Sequence, residues 1–182
     1  MDPRNSSKGS GSNTSPAGGF GPRHLERERT MNEAIIALIL SIAPTNDEAA
    51  TLLAIAEVES AGNPRAVSPV GARGLFQIMP ITHRDVTGRI DKSIPEGDLF
   101  DPTHNAKVGR AYWRWIRGTE TGANFTDALV CWNWGFGNCR AWKRGGGRMT
   151  DLPTETARFI EKVTEARQRW ASEARVLRSN GV

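Results

Sequence analysis

Glu59 is the residue whose position asks for chemistry. Leu52, Ile55, Ala56 and Glu59 fall at i, i+3, i+4 and i+7, so on a helix one carboxylate shares the stripe that should face the core. Burial disfavours the charged form of an acid, and the carbonyl end of a helix, where Glu59 falls, pushes the same way. A carboxyl kept protonated near neutrality can serve as a general acid. The competing role is structural, a Glu at a helix end paired with Arg65 or Arg73, since ion pairs also perturb acids. Glu57 lies about 200° around the same helix at 3.6 residues per turn and cannot face the same cleft.

Other chemistries find no residues. His24, His83 and His104 are scattered and the two cysteines, Cys131 and Cys139, are eight positions apart, which supports neither a zinc-finger set nor an H-E-x-x-H helix. The Gly145-Gly146-Gly147 run lacks the lysine and hydroxyl of a phosphate-cradling loop. No metal or other cofactor is therefore expected. Six Trp and six Phe stand against a single Tyr, so chemistry that needs a phenol has only Tyr112. Cys131 and Cys139 flank a Gly-rich turn, and both a disulfide and two buried thiols remain open.

The elements that must position Glu59 read as helices. Thr30-Met31-Asn32-Glu33 has capping-box spacing ahead of an apolar stretch from Ala34 to Ala43, which at about ten residues is far below the ~20 needed to span a bilayer. Thr45-Asn46-Asp47-Glu48 starts a second helix running to about Ser60 and stopped by Gly62 and Pro64. Asp101-Pro102 and Asn124 begin two more, and a last helix starts near Thr154 with Phe159, Ile160, Val163, Ala166, Trp170, Ala174 and Leu177 at 3–4 spacing. Between Asn63 and Pro80 lies a loop-rich insertion, and no stretch alternates as a strand.

Residues 1–22 hold five Gly, five Ser and three Pro and too few apolar side chains to offset the entropy of ordering, so residues 1–29 read as a flexible tail. The net charge is +4 with 24 Lys and Arg against 20 Asp and Glu, which favours acidic partners. Arg140, Lys143, Arg144 and Arg148 around Trp142 read as a solvated loop, and nucleic acid is not expected as a partner.

Around Glu59 the residues run Glu59-Ser60-x-x-Asn63-Pro64-x-Ala66-x-Ser68-x-x-Gly71-Ala72-x-Gly74-Leu75-Phe76-Gln77-Ile78-Met79-Pro80-x-Thr82. This segment closely resembles the catalytic segment of soluble lytic transglycosylases, the lysozyme-like enzymes that cut peptidoglycan. The resemblance continues through Leu99-Phe100-Asp101-Pro102-x-x-Asn105, Trp132-Asn133-x-Gly135-x-Gly137 and Pro153-x-Glu155-Thr156-x-x-Phe159-Ile160. It covers about residues 45 to 165.

The fold it implies is mainly α, of the α+β lysozyme-like kind: one helical domain over residues 30–182 with a catalytic helix and a loop-rich insertion. The activity it implies is cleavage of the β-1,4 bond between N-acetylmuramic acid and N-acetylglucosamine with a 1,6-anhydro product. Glu59 would act first as acid and then as base, and the substrate's own acetamido group would assist. The resemblance puts Ser68, Gln77 and Met79 beside the acid, Asn133 by the scissile sugar and Glu155 farther along the groove. Gly71 and Gly74 would let backbone approach a sugar ring, and Gln77 offers an amide donor and acceptor. Met79 as core filler and Glu155 as a helix N-terminal charge are the competing structural roles.

Two departures stand out. Trp132 and Phe159 replace family tyrosines, so a hydroxyl that would orient the acid or the sugar is missing, while Trp132 can still stack on a sugar face. Hydrolysis of the same bond, and a weakly active or inactive component that merely holds peptidoglycan, are the alternatives. No export signal is read in the chain, which points to delivery by another vehicle: a phage virion during genome entry, or a secretion or conjugation system of the cell envelope. The tail would then dock on other virion or envelope-complex proteins.

Overall fold

Helix α2, Asn46–Ser60, owes its place to its apolar residues. Positions 49 to 56 are all buried, so the helix is apolar all round and lies inside the molecule. The computed structural model describes residues 31–181 and arranges around it α1 (Glu33–Ile42), α3 (Pro80–Asp85), α4 (Pro102–Arg117), α5 (Phe125–Trp134), α6 (Phe136–Arg144) and α7 (Thr154–Ser179). A π-helical turn, Val86–Ile90, extends α3, and a 3-10 turn covers Met149–Asp151. The fold is mainly helical. Its β content among the described residues is two isolated bridges, Val67 with Arg73 and Arg73 with Ile78, both inside the loop that follows α2.

Capping accounts for the helix starts. Thr45 Oγ1 accepts from Glu48 N at 3.1 Å, Asp101 Oδ1 from His104 N at 2.6 Å and Asn124 Oδ1 from Asp127 N at 2.8 Å. At α1 the cap is Asn32, whose Oδ1 accepts from Ala34 N at 2.7 Å; the expected cap, Thr30, lies outside the described residues, as does the expected tail. Helix α2 ends at Ala61 in the left-handed region, followed by Gly62 at φ 76°.

Helix α7 packs along α2 and holds it by polar contacts at both ends. Arg167 pairs with Asp47 near the start of α2, and Arg169 and Trp170 bind the two oxygens of Glu57 at 2.5 and 2.7 Å near its end. Helix α6 corrects the expectation of a solvated basic loop. Arg140, Lys143 and Arg144 lie on this helix, Lys143 pairs with Asp127 at 2.5 Å, and Trp142 is buried. The turn before it is a sharp helix junction at Gly135, φ 85°, and Cys131 is bonded to Cys139 across it, closing the question left open by the sequence. No described helix is long and apolar enough to cross a membrane.

Candidate active site

The last turn of α2 delivers Glu59 to a cleft of about 430 Å³. Its neighbour Ser60 ties that turn to the loop, with Oγ donating to Leu75 O at 2.8 Å. The loop returns through Ser68, whose Oγ accepts from Ala72 N and whose backbone N–H donates to Ala72 O, both at 3.0 Å. Gly71 stands at φ 87° in that turn, with open space where a Cβ would be. Gly74 serves another purpose than the expected approach to a sugar. A Cβ there would meet Leu99 O and Asn105 Nδ2 at 2.3 Å each, so the missing side chain makes room for the protein's own backbone.

Asn105 explains why the second motif belongs with the first. Fully buried on α4, it accepts from Phe76 N at 2.9 Å and donates to Arg73 O at 3.0 Å and Leu99 O at 2.9 Å. One amide thereby holds the middle of the loop to α4 with its polar capacity used on backbone groups, the condition for burying an amide without penalty.

The cleft brings together Glu59, Ser68, Gln77, Met79, Trp132, Asn133 and Glu155. Gln77, at φ 46°, spends its amide nitrogen on the loop, donating to Gly74 O at 3.0 Å and Ala66 O at 3.2 Å. Its Oε1 is the polar group left for a ligand. Met79 is half-buried rather than core filler, and Glu155 is exposed in the first turn of α7.

Glu59 has no ion pair among the described residues, and Arg73, one of its expected partners, lies over the Phe100 ring at 5.8 Å instead. Its Oε1 accepts the indole N–H of Trp132 at 2.8 Å. Burial pushes the Glu59 pKa from 4.5 up to about 7; the indole donor pulls it partly back, and the charge of Glu155 adds to the rise. Near neutrality such a carboxyl is poised both to give and to take a proton.

Two ring assignments need correction. Tyr112 sits on α4 but turns into the same cleft, its ring 5.5 Å from that of Trp132. Burial and, secondarily, Asp85 raise its pKa to about 12. The cleft therefore has a phenol, brought from an unexpected helix. The signal was present: Tyr112 is seven positions after Asn105 and shares its helix face. Phe159, by contrast, is buried in the core and is not on the cleft wall.

A helical body whose central helix ends in a proton-holding carboxyl at an open cleft is the lysozyme-like arrangement. The chain belongs to the transglycosylase SLT domain family, which matches residues 41–151. The soluble lytic murein transglycosylase of Escherichia coli K12 is 35% identical over 114 residues, 61% of this chain and 17% of that protein. A transglycosylase of Enterobacteria phage PRD1 is 42% identical over 60 residues, 33% of this chain and 20% of that one. Among solved structures, the 70 kDa soluble lytic transglycosylase of Escherichia coli matches with a TM-score of 0.62 at 28% identity, covering 76% of this chain and 24% of that one. The chain spans less than a quarter of the length of each of these relatives.

Proposed function

We propose that this protein is a peptidoglycan lytic transglycosylase that cleaves the β-1,4 bond between N-acetylmuramic acid and N-acetylglucosamine. The observation that carries this reading is the Glu59 carboxyl, without a cation partner among the described residues and raised to about 7 on the wall of an open cleft. Protonated Glu59 gives its proton to the glycosidic oxygen as the bond to the muramic anomeric carbon breaks. The acetamido carbonyl of that sugar stabilises the developing cation. Glu59, now a carboxylate, takes the proton of the sugar's 6-hydroxyl as O6 bonds to the anomeric carbon. A 1,6-anhydro end results, the acid is regenerated, and no water is consumed. Ser68, Gln77, Met79, Trp132, Asn133 and Glu155 bind the glycan.

A hydrolytic muramidase has one observation in its favour. Glu155 is a second carboxylate on the cleft, and glycosidases commonly use two. Mass spectrometry of digested sacculi separates the readings: anhydro-muropeptides are expected, reducing ends would mean hydrolysis, and unchanged sacculi would leave only a peptidoglycan-holding component.

We place its action in the cell envelope, delivered on a phage particle during genome entry, with residues 1–29 as the segment that docks on other virion proteins. The similarity to a phage transglycosylase supports this, and the Cys131–Cys139 bond suits an oxidising compartment. Finding the protein in purified virions is expected; finding it only in host cytoplasm would point to an envelope secretion system or a cellular role.

A further inference from the structure

Three cavities follow one another around α4. The Glu59 cleft shares Thr82 and Tyr112 with a second cavity of about 360 Å³, and this shares Ile90 and Trp115 with a third of about 610 Å³. On a helix of about 100° per residue, Tyr112, Trp115, Ala111, Lys107 and Arg114 step progressively round from the cleft to the far face. The three therefore form one path across the surface.

Its chemistry changes along the way. The middle cavity is aromatic and electrically balanced, with Tyr112 stacked on Trp115 at 5.9 Å and Arg89 paired to Asp85 at 2.7 Å. The far cavity has an apolar floor that includes Ile42, Ile94 and Trp115 and three cations from α4, Lys107, Arg110 and Arg114. Arg110 is held by Glu48 at 2.8 Å, whereas Lys107 and Arg114 are exposed and have no ion-pair partner among the described residues. The carboxylate of this cavity, Asp91, is engaged by Ser93, whose backbone N–H and Oγ donate to it at 3.1 and 2.5 Å.

We infer that the far cavity is a subsite for the carboxylates of the peptide stem carried by the same strand whose glycan lies in the cleft. This rests on the reading of the cleft as a peptidoglycan site. Half a circuit of a helix ~10–12 Å wide is about 17 Å, and an extended peptide of about five residues reaches about that far. Two free cations over an apolar floor match one or two carboxylates on a short peptide. A nucleic-acid backbone needs a longer row of cations.

The test compares wild type with the double variant Lys107→Ala, Arg114→Ala on stem-bearing and on stem-free glycan strands. Two exposed charge contacts are worth about tenfold together, so the ratio of kcat/KM on stem-bearing to stem-free strands should fall about tenfold. An unchanged ratio overturns the subsite. A second arm does not depend on turnover. The full chain carrying Glu59→Gln is titrated by NMR with the free stem peptide, with the same peptide amidated at its carboxyls, and with inorganic phosphate. Binding of the free acid form alone, weakened about tenfold by the double variant, is expected. Equal binding of the amidated peptide, or equal binding of phosphate, refutes a stem-carboxylate site. If wild type cuts neither strand, the reading of the cleft fails and this arm alone decides the subsite.

Discussion

The indole N–H of Trp132 points at Oε1 of Glu59 from 2.8 Å, linking α5 to the last turn of α2. An indole nitrogen donates but cannot accept. The oxygen that receives it is thus the carbonyl oxygen whenever Glu59 is protonated, and the acid proton belongs on Oε2, free to go to a substrate. A tyrosine hydroxyl in the same place could also accept, and would compete for that proton. The replacement that looked from sequence like the loss of an orienting group supplies one of stricter polarity.

Trp132→Phe removes the donor that draws the Glu59 pKa downward. The alkaline limb of the pH–rate profile should move to higher pH, and kcat/KM should fall about tenfold from the lost hydrogen bond to a charged group. Trp132→Tyr restores a donor and should return both toward wild type. Identical profiles for all three proteins would mean that the contact does not act on the acid.

Glu59→Gln should keep the fold and lose lysis by at least ~10²-fold, the lower range for general acid–base catalysis. Stability gives an independent reading. Because the folded-state pKa is raised from 4.5 to about 7, the stabilisation linked to this proton is complete below pH 4.5 and is lost as pH rises through 7. The full difference is about 3 kcal/mol at ~1.4 kcal/mol per pKa unit. Urea unfolding of wild type and variant should therefore diverge in favour of the variant between pH 4.5 and 8. Parallel curves would place Glu59 in ordinary solvent.

Much of this site could be read locally, and what could not depends on how helices meet. Thr45, Asp101 and Asn124 cap their helices because a cap needs only its own next three residues. Glu59 was legible because the stripe it interrupts lies on one helix. Helix α6 was not, since Gly135 and Gly137 at its start and Gly145-Gly146-Gly147 just past its end argue against a helix; the bond from Cys139 to Cys131, the burial of Trp142 and the Lys143–Asp127 pair hold it instead. Tyr112 reached the cleft unforeseen because spacing within α4 puts it on the face of Asn105 but does not say where α5 will cross that face.

Phe159→Tyr, which the family pattern recommends, should bring no gain in activity. Phe159 is 6% exposed, on the core side of α7 with Ile160 and Val163. A phenol hydroxyl placed there without a partner costs about 1–3 kcal/mol. Thermal unfolding should show that loss while kcat/KM at a permissive temperature stays at the wild-type value. A rise in kcat/KM would mean that the ring reaches the cleft.

The loop that carries Ser68 and Gln77 hangs on Asn105, and the sharpest way to test that is at Gly74. A methyl group at Gly74 would lie 2.3 Å from both Leu99 O and Asn105 Nδ2, at a φ of 74° that side chains rarely adopt. Gly74→Ala must therefore push the loop off α4 and break the amide's bonds to Arg73 O and Leu99 O. Asn105→Ala removes the same anchor without a clash, leaving Phe76 N–H and two carbonyls unpaired at about 1–3 kcal/mol for each buried group. Both variants should lose several kcal/mol in chemical unfolding, and in both lysis should fall more steeply than the folded fraction. Asn105→Asp can still accept from Phe76 N–H but cannot donate to the two carbonyls, so it should resemble the alanine variant. If it behaves like wild type, the contact to Phe76 alone holds the loop, and the role assigned to the other two bonds is wrong.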